Sequence, residues 1–352
     1  MSKEPIHARY HAVAWDRQKK VYDVILAGGL IVYLALFVGL GAVIHPGATA
    51  ETLLIRGFGT AALLLLHLVL SIGPLTRLDS RFYPLLYNRR HLGVTMFFMA
   101  SVHGVFAIIQ YHAFGDINPL VSVLLSNARL DSLSQFPFQP IGLAELLIFF
   151  LMAATSHDFW MANLTPPVWK ALHMLVYVAY ALVVVHVSLG VLQSETHPVL
   201  AGVMAAGGLW VSGLHVWAGQ KEKGLDGSRM PVGADGYVFV GAVSDIPEGR
   251  AVIAVVGGER VAIFKYDRKI SAVSNVCQHQ NGPLGEGRVI AGLITCPWHG
   301  FQYCPVDGKS PAPFRERVPT FDVKLVNGRV FVREQPNLPG TAVAPAQIPY
   351  RD

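Results

Sequence analysis

The chain has 352 residues, of which 28 are Lys or Arg and 23 are Asp or Glu. Only 14% of residues are charged and 52% are hydrophobic, where an ordinary soluble domain is about 25% charged. This composition excludes a disordered chain and argues against a plain soluble enzyme. Charge is sparse ahead of residue 231 and denser behind it, so a greasy front part and a more ordinary back part are expected. All three cysteines, Cys277, Cys296 and Cys304, fall in the back part, too few and too local for a disulfide scaffold.

In chain order, residues 1–20 read as a polar N-terminal segment. Val24–Ile44 is an uncharged apolar run, long enough to cross a hydrocarbon core of about 30 Å. It is too long for a signal-peptide core and further spans follow, so it reads as an anchor. Five more apolar segments lie at about 57–75, 92–111, 141–157, 169–192 and 199–218. Residues 21–218 are therefore expected to form an all-α membrane bundle of six helices. Lys and Arg cluster in the loops on the side of the N-terminus, among them Lys19, Lys20, Arg89, Arg90, Lys221 and Lys223. The opposite side holds only Arg56 and Arg129. This asymmetry places both termini and the back part in the cytoplasm, with the bundle in the inner (plasma) membrane. It also accounts for a pI near 9.1 without a nucleic-acid partner.

Ionisable side chains inside a membrane are costly and mark function by default. His67, His103, His173 and His186 lie within the spans, and His91 lies at the inner end of the third. His91 and His103 are about 18 Å apart along their helix, and His173 and His186 about 20 Å apart along theirs. The third and fifth spans run in the same direction. His91 and His173 then share an inner level, and His103 and His186 an outer one. One or two b-type haems, each held by a His from both helices, fit those levels. Neither pair shares a clean helix face, so a rotated haem or a kink is required, and His67 is the alternative to His91. His45, His112, His157, His197 and His215 sit near span ends and read as interfacial or packing residues. The spacing of His7 and His11 is too weak a signal for a metal.

Residues 219–231 are polar and Gly-rich and read as a linker. Residues 232–335 read as a small all-β domain, with β-rich runs at Tyr237–Val243, Ala251–Val256, Arg260–Tyr266, Ile270–Val273, Phe321–Leu325 and Val330–Arg333. The tail, 336–352, is Pro-rich and reads as an extended strap or a disordered end. Within the β domain stand Cys277-Gln278-His279 and Cys296-Pro297-Trp298-His299. Two thiolates and two imidazoles can hold a tetrahedral zinc or a [2Fe–2S] cluster. A zinc finger would pair Cys with Cys and His with His. Here each loop brings one of each, which suits two loops clamping a two-iron rhomb. Gly282, Pro283, Gly285 and Gly287 follow the first loop, and Gly300 and Gly308 the second, as suits backbone amides approaching sulfur.

The stretches CQHQNGPLGEG and CPWHGFQYCPVDGKSP resemble a Rieske [2Fe–2S] domain over about residues 232–335. The resemblance implies that Cys277 and Cys296 bind one iron, and His279 and His299 the other. Rieske domains of cytochrome bc complexes have a further disulfide-forming Cys in each loop. These loops lack it, so the ferredoxin type that serves oxygenases is the nearer kind, and Cys304 reads as a small packing residue. In the front part, GPLTRL (73–78), RRHLGVTMFFMASVH (89–103) and LHMLVYVAYALVVVH (172–186) resemble the ferric reductase-like transmembrane family. Within it, the haem-binding membrane subunits of bacterial methionine sulfoxide reductase systems are most similar, over about residues 20–218. This resemblance implies haem ligands at His103, His173 and His186 and leaves a fourth open between His91 and His67. Arg89 and Arg90 are candidates for haem propionates.

No GxGxxG follows a strand, so direct oxidation of NAD(P)H is not expected. Nor is there a 2-His-1-carboxylate domain for oxygen chemistry. The expected function is membrane electron transfer between a cytoplasmic Rieske cluster and intramembrane haems. The far partner would be a quinone, ferric iron, oxygen or a redox protein. A redox sensor or assembly subunit with the same cofactors is the alternative.

Overall fold

The computed structural model describes residues 17–194, 197–227, 230–298 and 300–349. The chain forms two compact units. Among the described residues, one gathers 17–73 with 88–215, and the other gathers 74–87 with those from 216 onward.

The first unit is built from long helices, α1 (Arg17–Ile44), α2 (Ala50–Leu78), α3 (Arg89–His112), α4 (Phe138–Thr155), α5 (Pro166–Leu189) and α6 (Val199–Gly227). The six helices are long and apolar enough to cross a membrane, as the composition requires. α2 is the most buried and packs Ala61, Leu65, Leu66 and Leu70 into the bundle, whereas α1 buries none of its apolar window. Val24, Ile25, Val32, Leu40 and Val43 of α1 stay exposed, the pattern of a helix whose solvent is lipid.

The helix ends depart from the hydropathy limits. α1 is already helical at Arg17, ahead of the apolar run, and α6 is helical as far as Gly227. The expected linker over 219–231 is therefore helical through most of its length. Helical hydrogen bonds are internal, so a helix leaves the hydrocarbon and runs on through polar residues, while hydropathy marks only the apolar stretch.

The second unit carries the β domain, with antiparallel strands throughout. β1 (Tyr237–Ala242), β2 (Arg250–Val256), β3 (Glu259–Tyr266) and β4 (Lys269–Ser274) come first. β5 (Arg288–Ile290), β6 (Leu293–Thr295) and β7 (Gln302–Tyr303) follow. β8 (Thr320–Phe321), β9 (Val323–Val326), β10 (Arg329–Arg333) and β11 (Ala346–Gln347) complete the set. One sheet has the order β1-β10-β9, a second β11-β4-β3-β2 with β8 beside β4, and a third β5-β6-β7. Two-residue turns close β9 onto β10 at Asn327-Gly328 and β3 onto β4 at Asp267-Arg268, with positive φ at all four residues. These are the backbone angles that suit the right-handed twist of a hairpin.

β3 has partners on both edges and is buried on both faces. Its side chains alternate as a strand requires. Val261 and Ile263 enter a core with Val238, Ile246, Phe321 and Val332. Ala262 and Phe264 enter another with Leu284, Ile294, Phe301, Tyr303 and the two cysteines Cys277 and Cys296. The tail is an extended strap: Asn337 N–H donates to Thr320 O, Val343 N–H to Val306 O, and β11 pairs with β4. The end of α6 is tied to the same unit by Arg260, whose guanidinium makes bonds of 2.6 and 2.8 Å to Asp226 and pairs with Glu222.

Candidate redox centres

The first centre sits at the ends of two loops in the β unit. Cys277 closes the first loop, its N–H donating to Gly282 O at 2.9 Å while Asn281 N–H donates back to Cys277 O at 2.7 Å. Asn275 Oδ1 accepts from Gly285 N–H at 2.7 Å. The second loop is closed by Cys296 N–H to Phe301 O, 2.8 Å, and Gly300 N–H to Cys296 O, 2.9 Å. Gly282 is the contact between the loops. A Cβ there would stand 2.8 Å from Cys296 Sγ and 3.2 Å from the Trp298 ring, so no larger residue lets the loops come this close.

Both cysteines are 1% exposed and neither is in a disulfide. Tyr303 Oη accepts from Gln278 N–H at 2.9 Å, which leaves its own hydrogen for Cys277 Sγ at 3.4 Å. Burial pushes the Cys277 thiol up, yet it is held below the ordinary thiol range. The opposing bonds come from Cys296, Tyr303 and the backbone N–H groups of His279 and Gln280. Burial in turn pushes the Cys304 thiol up, and Cys304 lies half-buried, away from the pair. The His279 ring is half-buried and stacks on Phe301, centroids 4.6 Å apart and 2° from parallel. The structure thus brings Cys277 and Cys296 together. Among the described residues no third His, Cys, Asp or Glu joins them in a metal-holding group. His299 lies outside the described residues, as do His7 and His11.

In the helical unit the predicted histidines fall into different environments. His103 on α3 and His186 on α5 face each other, ring centroids 6.2 Å apart and planes at 84°. His103 Nδ1 bonds Ile55 O at 2.9 Å, and His186 Nδ1 bonds Phe138 O at 2.8 Å. A carbonyl only accepts, so each Nδ1 carries the hydrogen and each Nε2 keeps its lone pair. Both rings rest against helical glycines. A Cβ on Gly59 would lie 2.8 Å from His103, and one on Gly142 2.7 Å from His186.

The other three histidines are not brought together in this way. His91, in the first turn of α3, bonds Asp23 through Nδ1 at 2.8 Å. His173 bonds Trp169 O through Nδ1 at 3.0 Å, stacks on the Trp169 ring, and has Ser156 Oγ 3.3 Å from Nε2. His67 is buried, with Tyr180 Oη 3.0 Å from its Nε2. His112 bonds Ser122 and Gln139, His157 caps a short helix by accepting from Phe159 N–H, and His215 bonds Val211 O and Tyr177. Of these three, His112 is buried, His215 half-buried and His157 exposed.

Several side chains at these centres escaped the sequence reading. Tyr303 and Asp23 are joined to Cys277 and His91 only by the fold, so no local motif marks them. Glu145 did carry a signal, as an acid inside an apolar run. It lies one turn from Gly142 on α4, and its Oε2 is buried with no hydrogen-bond partner among the described residues.

Comparison with known proteins follows the same division. The family described as Rieske [2Fe–2S] domain matches residues 236–322, and the family described as ferric reductase like transmembrane component matches 56–184. The ferredoxin component of a naphthalene 1,2-dioxygenase system from Pseudomonas putida is 32% identical over 92 residues, 26% of this chain and 88% of that protein. The haem-binding subunit of a protein-methionine-sulfoxide reductase from Ralstonia nicotianae is 29% identical over 209 residues, 58% of this chain and 89% of that protein. A solved complex of oxygenase and ferredoxin from carbazole 1,9a-dioxygenase has a chain 26% identical, covering 29% of this chain and 97% of its own, with a TM-score of 0.28. Residues 236–322 belong to the Rieske [2Fe–2S] family in its ferredoxin form, and the helical part ahead of them is similar to ferric reductase like transmembrane components, in a multi-pass membrane protein of electron transfer.

Proposed function

We propose that single electrons pass between a [2Fe–2S] cluster in the β domain and b-type haem in the bundle. The far partner would be a quinone, ferric iron, oxygen or a redox protein. Cys277 and Cys296 would hold one iron of the cluster, and His279 and His299 the other. His103 and His186 would hold one haem, and His173 with His91 a second. When bound, each group takes up or releases one electron without a change in its ligands. By the loop charges, the bundle lies in the inner membrane with both termini cytoplasmic.

The observation that carries this reading is the facing pair His103 and His186. Two imidazoles on opposite sides of one metal, at metal–nitrogen distances of about 2 Å, put their ring centres roughly 6 Å apart. The observed spacing is 6.2 Å, and with both Nδ1 hydrogens committed to carbonyls, the Nε2 lone pairs are the ones that would bind a metal. The sulfur site supports its half through two buried thiols, of which Cys277 receives backbone and phenol hydrogen bonds. For the second haem, the Asp23 carboxylate favours His91 over His67. It orients His91 as carboxylates orient metal-binding imidazoles, a support that His67 lacks among the contacts described.

Metal analysis and spectra of the detergent-purified chain test the proposal. Rieske-type EPR together with a low-spin bis-histidine haem spectrum is expected, and a protein holding zinc alone would contradict it. The Tyr303 hydrogen bond makes a finer prediction. A donor to a ligating sulfur favours the reduced, more negative cluster. Tyr303→Phe is then expected to lower the cluster potential by about 40–60 mV, the equivalent of roughly 1 kcal/mol. The ring contact with Phe301, 5.3 Å between centroids, is kept. An EPR-monitored redox titration with an unmoved midpoint would assign the bond no role.

A further inference from the structure

The second unit contains, besides the β domain, the short segment of chain between α2 and α3. This segment is built to hold one shape. Asp79 accepts from Arg81 N–H at 2.9 Å and from Arg81 Nε at 2.8 Å. Lys221 Nζ donates to the last carbonyls of α2, Arg77 O at 3.0 Å and Leu78 O at 2.9 Å. A single helical turn, Tyr83–Leu86, follows, with Leu86 buried. Two arginines of the β domain lie over its aromatic rings. Arg250, at the start of β2, has its guanidinium carbon 5.5 Å from the Tyr83 ring centre. Arg288, at the start of β5, is 5.4 Å from that of Tyr87.

Arg250 is itself fixed by a 3.3 Å bond to Gly287 O, at the end of the first cysteine loop. Tyr87 also lies within electrostatic reach of Cys296. Its hydroxyl is buried with no hydrogen-bond partner among the described residues. An unsatisfied buried phenol is a cost, so the side chain is held here by its ring and not by its hydroxyl. One residue beyond Tyr87, the chain enters α3, whose first turn carries Arg89, Arg90 and His91.

We propose that residues 80–87 are a seat for the cysteine-loop end of the β domain, gripped by the Arg250–Tyr83 and Arg288–Tyr87 pairs, and that electrons cross to the bundle from the seated state. The inference rests on the electron-transfer reading above for its second half only. In the transfer, one electron leaves the reduced cluster and one enters a ferric haem. Tyr87 is a positioning residue and is neither oxidised nor reduced.

Hydrogen–deuterium exchange on the detergent-purified full chain reads the seat directly. Loss of one cation–π pair shifts the seated-to-unseated ratio about fivefold. Arg250→Ala and Arg288→Ala should each lower protection of residues 80–87 by about that factor, and the double variant by roughly 25-fold. Haem reduction by the pre-reduced cluster should slow in the double variant, with EPR and haem spectra unchanged. Tyr87→Phe keeps the ring face and should keep wild-type protection, whereas Tyr87→Ala should lose it. Unchanged protection in the double variant, or equal losses in Tyr87→Phe and Tyr87→Ala, overturns the seat. Wild-type transfer rates after protection is lost overturn its part in electron exchange. A wild-type chain whose haem never takes electrons from the cluster would instead refute the functional reading and leave the exchange result standing.

Discussion

Replacing His186 by alanine is expected to remove one haem per chain while leaving the iron–sulfur EPR signal at its wild-type amplitude. The His103 ring opposite, 6.2 Å away between centroids, would lose the partner that completes its site. The same ligand pair can be disturbed without removing a donor. A Cβ on Gly142 would stand 2.7 Å from the His186 ring, so Gly142→Ala must push the imidazole aside. Loss of ligand orientation commonly costs 10- to 100-fold in metal affinity, and weakened haem retention on that scale is expected. Alanine also raises helix propensity by about 1 kcal/mol over glycine. Haem loss from a helix made intrinsically stronger separates a ring clash from general unfolding. Pyridine haemochrome quantification checks both variants, and unchanged haem content in His186→Ala would refute the ligand assignment.

Cys277→Ser and Cys296→Ser are each expected to abolish the [2Fe–2S] signal and the iron that goes with it. Haem absorbance should stay at the wild-type wavelength and amount. The two thiols are buried in one core within hydrogen-bonding reach of each other, and Tyr303 adds a donor to Cys277. Among the described residues no third His, Cys, Asp or Glu stands by to replace a lost sulfur. Cys304→Ser is the matched control. Burial pushes its thiol up, away from the thiolate a metal needs, and its N–H is bonded to Lys309 O in a separate turn. Full cluster content is expected in that variant. Iron analysis with EPR settles the comparison. A cluster retained in Cys277→Ser, or lost in Cys304→Ser, would contradict the assignment.

Much of this architecture is legible from residues whose consequences are local. The apolar runs announce six spans because the thickness of a bilayer is a length requirement on the chain. The longer strands announce themselves as β-rich runs between turn residues, as at Arg260–Tyr266, whereas the division of Val261 and Ile263 from Ala262 and Phe264 between two cores was hidden because all four are apolar. β5, β6 and β7 were not legible. They are two or three residues long, too short to show a period, and the cysteine loops they flank shape them. The extension of α6 to Gly227 was hidden because polar residues end a hydrophobic run without ending a helix.

At the candidate centres, the chemistry-bearing residues stand out in the sequence and their supports do not. Cys277, Cys296 and the intramembrane histidines are rare types in telling places. Tyr303, Asp23 and the glycines 59 and 142 gain meaning only when distant segments meet. Glu145 is different. An acid in an apolar span is costly in any fold, so Glu145 itself was there to be read, while its nearness to His186 through Gly142 was not.

The central claim is electron passage between the two centres of one chain. Stopped-flow spectroscopy on the purified full chain tests it most directly. The cluster is first reduced by a soluble ferredoxin reductase too large to enter the bundle, and the haem band is then followed. The account predicts first-order haem reduction at a rate independent of protein concentration, matched by loss of the reduced-cluster signal and absent in Cys277→Ser. A haem that stays oxidised beside a fully reduced cluster would contradict it.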